Sequence, residues 1–173
     1  MALVSMRTML EKAGAEGYSV GNFDVFNLEL LKGVMEAQEE LRAPVILAYG
    51  PPFEVYSPMR HYGKLMRSYA EETDLPVVIH LDHANTLEQV KSAVDAGFNS
   101  VMIDASAFPF EENIRRTLEV VAFCRPLGIP VEAELGHVGD EGMSDLSDYG
   151  FTDPSLAAEY VGRTGIDALA VAI

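Results

Sequence analysis

Short runs rich in β-branched and aromatic residues alternate along the chain with longer stretches whose apolar positions recur every three to four residues. The first pattern suits strands that send side chains to alternate faces, and the second suits helices with one buried stripe. Strands are predicted near residues 19–23, 45–49, 77–81, 100–103, 131–135 and 168–172. Helices are predicted over 28–41, 57–72, 86–96, 110–127 and 154–162, after an opening helix at 5–13. Strands separated by helices in this way make βαβ units around a parallel sheet, which is the α/β class.

Local punctuation agrees with these boundaries. Asn27 can cap the helix that opens with Leu28-Glu29, where an acidic residue in the first turn is favourable, and Ala43-Pro44 stops it. Gly97 and Gly128 close two further helices, and Asp153-Pro154 reads as an N-cap followed by proline at the first helical position. One stretch breaks the rhythm. Residues 136–152 interleave Gly136, Gly139, Gly142 and Gly150 with Asp140, Glu141, Asp145 and Asp148, too polar for a core. A loop of that length after a strand is either a plain solvated insertion or a functional one, and its position favours a mobile active-site loop.

Six strands joined by helices fit an open doubly wound sheet or part of a (β/α)8 TIM barrel. The doubly wound nucleotide folds carry G-x-G-x-x-G after the first strand, and Val20-Gly21-Asn22-Phe23-Asp24 lacks it. The expectation is therefore a single partial TIM-barrel domain over residues 1–173, truncated after about six strands. A complete barrel typically needs ~250 residues, and the sequence stops inside a predicted strand at Leu169-Ala170-Val171-Ala172-Ile173.

Composition narrows the partners. With 49% apolar residues the chain can bury a sizeable core, and a formal net charge of −15 opposes a nucleic-acid backbone. That charge does not exclude a small anionic ligand, because a pocket can be locally positive around a metal ion or helix N-termini. The lone Cys124 cannot form an internal disulfide and sits at helical spacing with Val120, Val121 and Phe123, as a buried structural thiol does. No segment approaches the ~20 apolar residues that span a bilayer, and no basic-then-apolar leader opens the sequence, so no membrane partner and a cytoplasmic location are expected.

Candidate chemistry lies at the C-terminal ends of the predicted strands: Asp24, the Asp82/His83 pair, Asp104 and Glu134. In a barrel these ends converge on one mouth, where imidazole and carboxylates suit a divalent ion such as zinc. The spacing by itself is unspecific, with no H-E-x-x-H or paired-cysteine motif. His80 reads as a packed, hydrogen-bonded group, Asp104 equally as a turn-former or a site residue, His61 as solvated and His137 as an incidental loop residue.

Several blocks taken in order are more specific. Asn27-Leu28-Glu29, Ala43-Pro44-Val45-Ile46-Leu47, His80-Leu81-Asp82-His83, Ser100-Val101-Met102-Ile103-Asp104-Ala105-Ser106, Glu111-Glu112-Asn113-Ile114, Val131-Glu132-Ala133-Glu134-Leu135-Gly136 and Thr164-Gly165-Ile166-Asp167-Ala168 resemble the class II metal-dependent ketose-bisphosphate aldolases. The resemblance extends to the fructose- and tagatose-bisphosphate members and runs essentially end to end. It implies reversible aldol cleavage of a ketose (bis)phosphate to dihydroxyacetone phosphate and an aldehyde. It further implies a zinc ion, with a monovalent cation as a further candidate, and a homo-oligomer at full length.

Residue by residue, the resemblance makes His83 the first of three histidine ligands to zinc and Asp82 the acid/base at the C4 hydroxyl. It makes Asp104 and Glu134 acidic groups that support the site or bind metal, Glu141 the loop base acting on dihydroxyacetone phosphate, and Asp24 a substrate contact. Asp24 stands where relatives usually have Asn, and Gly50 where Ser or Thr is usual. The family's other two histidines are expected beyond Ile173, so the 173 residues alone are expected to bind metal poorly and catalyse little. Two alternatives stay open: a non-catalytic member that binds a sugar phosphate, and another metal-assisted lyase or isomerase on the same scaffold.

Overall fold

The computed structural model describes residues 2–136 and 150–173. The chain divides into two compact units, Met1–Met102 and Ile103–Ile173. The first contains α1 (Met6–Glu16), β1 (Gly21–Asp24), α2 (Leu28–Leu41), β2 (Val45–Tyr49), α3 (Met59–Glu71), β3 (Val77–Ala84), α4 (Leu87–Ala96) and most of β4 (Ser100–Ile103). The second contains α5 (Phe110–Cys124), β5 (Val131–Leu135), α6 (Pro154–Thr164) and β6 (Ala168–Val171). The strands form a six-stranded sheet in the order β1-β2-β3-β4-β5-β6, with parallel registers in both units. A strand order that follows the chain is the order of a (β/α)8 barrel; a doubly wound sheet would reverse it at a switch point.

In the first unit β2 is buried along its whole length, and Val77 to Leu81 of β3 are fully buried. Strands covered on both faces read as continuous apolar runs, which is why β2 matches its predicted bounds and β3 its predicted start; β3 runs three residues past its predicted end, through Ala84. The N-terminal segment adds a short parallel bridge, Leu3 to Val77, and the Val77 amide donates to the Ala2 carbonyl at 2.8 Å. β1 lies two residues later than expected and is largely exposed, so it carries no apolar run to mark its start.

Helix ends follow their caps. Thr86 and Gln89 form a reciprocal capping box that opens α4, and Gly97, at φ 99°, closes it. The predicted helix over 57–72 begins only at Met59, after a 3-10 turn at Pro51–Val55, because Pro51-Pro52 and Pro58 set the local backbone. α5 ends at Cys124 and a 3-10 turn containing Pro126 follows. Cys124 is fully buried and its thiol is pushed up to about 11 by burial and then by Asp167, as suits a structural cysteine.

Gly63 of α3 marks a close approach to α4. A Cβ there would fall 2.7 Å from the Ala96 carbonyl and 2.8 Å from the Phe98 ring. Gly63→Ala therefore forces the two helices apart, and overpacking of this kind costs about 1–3 kcal/mol. The urea unfolding midpoint of the variant should fall accordingly, and an unchanged midpoint would contradict the close packing.

Candidate functional site

The C-terminal end of β3 carries three polar groups in four residues, and their surroundings differ. His80 is fully buried; its Nδ1 lies 2.8 Å from Ser100 Oγ, which itself donates to Met6 Sδ at 3.1 Å. This is the packed, hydrogen-bonded role expected for it. Burial foremost, and then the nearby His83, push the His80 imidazole down to about 3, so the ring is neutral.

Asp82 and His83 would point to opposite faces of a regular strand. His83 instead adopts φ 48°, the left-handed region, which β3 has no glycine to supply. With the alternation broken, His83 Nε2 lies 3.9 Å from Asp82 Oδ1, while His80 Nε2 lies 4.0 Å from the same oxygen. The turn is held from below: Asn85 Nδ2 donates to the His83 carbonyl at 3.2 Å, and the Asn85 amide donates to Gln89 Oε1 at 2.8 Å. His83 keeps a side chain 53% exposed, open to a ligand.

Asp24, at the end of β1, feels the same carboxylate. Burial first, and then Asp82, hold its carboxyl above the usual carboxylate range, with His83 opposing the shift. In the second unit, Asp104 Oδ1 accepts from the Ser106 amide at 3.0 Å, so its turn-forming role is real. Glu134 of β5 is only 2% exposed, and its carbonyl accepts from Asn113 Nδ2 of α5 at 2.8 Å. Glu141 and His137 lie outside the described residues.

One ligand atom each from His83, Asp104 and Glu134 falls within 4.8 Å of the other two, a cluster able to coordinate a metal ion. The model matching residues 4–173 is that of the class II fructose-bisphosphate aldolases. The chain belongs to the class II fructose-bisphosphate aldolase family. It is 47% identical to the Escherichia coli K12 protein YdjI over 99% of this chain and 62% of that protein. It is also 47% identical to a fructose-bisphosphate aldolase of Giardia intestinalis, over 100% of this chain and 54% of that enzyme. A crystal structure of the Escherichia coli YdjI aldolase superposes with a TM-score of 0.91 at 46% identity, covering 99% of this chain and 62% of that one. The chain thus spans a little more than half the length of these aldolase relatives.

Sequence reasoning missed the supports beneath these aldolase-family residues. Asn113, Thr117 and Tyr160, all buried, bond to one another and reach Glu134 through Asn113. The available signal was an Asn and a Thr four residues apart on the face of α5 that also carries Ile114, Val120 and Val121. No helix among the described residues is long and apolar enough to cross a membrane.

Two outcomes follow from the end of β3. A left-handed φ costs a residue with a Cβ about 1–2 kcal/mol, so His83→Gly should unfold at higher urea than His83→Ala by about 1 kcal/mol. Equal stability of the two would refute the strained turn. The second outcome is a pH dependence. The folded chain holds His80 neutral down to about 3, whereas an unfolded histidine takes up a proton near 6.5. His80 therefore contributes its full stability above about pH 6.5 and loses it as pH falls toward 3. The stability difference between the unsubstituted chain and His80→Gln should shrink from pH 7 to pH 4 in equilibrium unfolding; a constant difference would contradict the buried neutral ring.

Proposed function

We propose that the chain carries the acid–base group and part of the metal-binding set of a class II ketose-bisphosphate aldolase. The reaction is reversible cleavage of a ketose (bis)phosphate to dihydroxyacetone phosphate and an aldehyde. The observation that carries the reading is the clustering of His83, Asp104 and Glu134, with Asp82 beside the imidazole. One imidazole and two carboxylates form a donor set that fits zinc. A bound divalent ion supplies Lewis-acid polarisation of the substrate ketone.

The side chains do the rest. His83 would hold the ion through a neutral imidazole nitrogen, with the Asp104 and Glu134 carboxylates offsetting its charge. Asp82 takes the proton of the C4 hydroxyl as the C3–C4 bond breaks and returns it in the condensation direction. The His83 and His80 imidazoles lie 3.9 and 4.0 Å from its carboxylate oxygen. Asp24 makes a substrate contact, and because its carboxylate adds negative charge beside Asp82, it disfavours a phosphate at that end of the pocket. Glu141 is the group assigned to the proton of dihydroxyacetone phosphate. A sugar-phosphate substrate, a monovalent cation near the metal, a homo-oligomer and a cytoplasmic location belong to the same reading.

In a protein with the full length of these relatives, His83→Ala should lose its zinc. Asp82→Ala should retain zinc and lose turnover by at least about 100-fold. Metal analysis together with enzyme-coupled detection of dihydroxyacetone phosphate separates the two, and unimpaired cleavage by the Asp82 variant would refute its assigned role.

A further inference from the structure

The Glu111-Glu112-Asn113-Ile114 block contains a buried polar group that the proposed chemistry does not use. Asn113 is 1% exposed in the first turn of α5, a place where a solvated side chain would be ordinary. Both ends of its amide are engaged. Nδ2 donates to the Glu134 carbonyl at 2.8 Å, and Oδ1 accepts from the Tyr160 hydroxyl at 2.6 Å. Thr117 Oγ1 lies 2.7 Å from the Tyr160 oxygen and 3.3 Å from Asn113 Oδ1.

Donor counting fixes the orientation. The Glu134 carbonyl only accepts, so the amide nitrogen must face β5 and Oδ1 is left to accept the Tyr160 hydroxyl proton, which anchors it. The Thr117 proton is then the one available to the Tyr160 oxygen. Tyr160 and Thr117 are fully buried, and Thr164 Oγ1 ties the Tyr160 carbonyl into α6 at 2.7 Å. The chain of bonds therefore runs from α6 through α5 to the backbone of one metal-ligand candidate on β5.

We propose that Asn113, oriented by Tyr160, is a positioning residue that fixes the β5 backbone at Glu134 and thereby sets the Glu134 carboxylate for metal binding. This rests on the reading of Glu134 as a metal ligand given above. The clamped carbonyl fixes the position and direction from which the Glu134 side chain leaves β5, and outer-shell partners of metal ligands typically alter affinity about 10- to 100-fold. Ligand geometry must hold to within about 0.5 Å, so small shifts of that backbone are felt at the ion.

The test is titration of a protein with the full length of these relatives with Zn2+ against a competing zinc indicator, paired with urea unfolding of each variant without metal. Asn113→Ala should weaken Zn2+ binding about 10-fold. Tyr160→Phe leaves the Asn113–Glu134 bond possible but unoriented, and should weaken binding severalfold; it keeps the test decisive if Asn113→Ala fails to fold. Gly63→Ala, packed against α4 and outside this chain of hydrogen bonds, should lower the unfolding midpoint while leaving Zn2+ affinity unchanged. Affinity that follows the unfolding midpoint across all three variants overturns the positioning role, as does unchanged affinity in Asn113→Ala and Tyr160→Phe. Absence of Zn2+ binding by the unsubstituted full-length protein overturns the metal reading itself, and the positioning role with it.

Discussion

A parallel sheet covered on both faces cannot tolerate polar side chains along its length, because each would need a partner away from water. This constraint organises the chain. β2 and the first five residues of β3 are apolar and buried except for His80, whose Nδ1 pairs with Ser100. Polar chemistry is pushed to the strands' C-terminal ends, where Asp24, Asp82, His83, Asp104 and Glu134 all stand. The same side chains placed three residues earlier would be buried charges without compensation.

Concentrating acids at strand ends carries an electrostatic cost that the structure registers. Asp82 helps raise the Asp24 carboxyl, and the His83 imidazole acts against that shift. With a formal charge of −15 over the chain, no general positive field relieves the crowding. A divalent cation among His83, Asp104 and Glu134 would relieve it locally, since a bound ion is normally the largest charge in its site. The clustering of acids and their proposed use thus have one physical explanation.

Much of this was legible in the sequence, for identifiable reasons. Elements with strong signals, such as β2 with its apolar run and α4 with its Thr86 cap, were placed to within a residue or so. β1 was misplaced because its exposed Asn22, Phe23 and Asp24 present neither alternation nor a run. The resemblance selected Asp82, His83, Asp104 and Glu134 as site residues, but the way Asp82 and His83 meet was hidden. Strand periodicity separates adjacent residues, and only the left-handed turn at His83, a non-glycine position, brings them together. The Asn113 cluster was hidden for the opposite reason, since polar residues at helical spacing resemble a solvated face until the opposing Tyr160 is known.

The contrast between that cluster and the ion pairs on the outside of the same helix bears on what holds the site. Arg115 and Arg116 grip Glu112, and Arg163 spans Glu111 and Glu159, with short contacts throughout. These pairs are exposed to solvent, where screening and the entropy of long side chains consume most of the attraction. They depress Glu112 to about 2, yet a low pKa at the surface reports a local partner and not rigidity at the strand end. Asn113, Thr117 and Tyr160 make neutral hydrogen bonds, but in a buried setting where leaving any one unmade costs its full desolvation. Helix α5 thus carries two polar faces of different kinds: a charged outer face that keeps it soluble, and an uncharged inner one that fixes the backbone beneath Glu134.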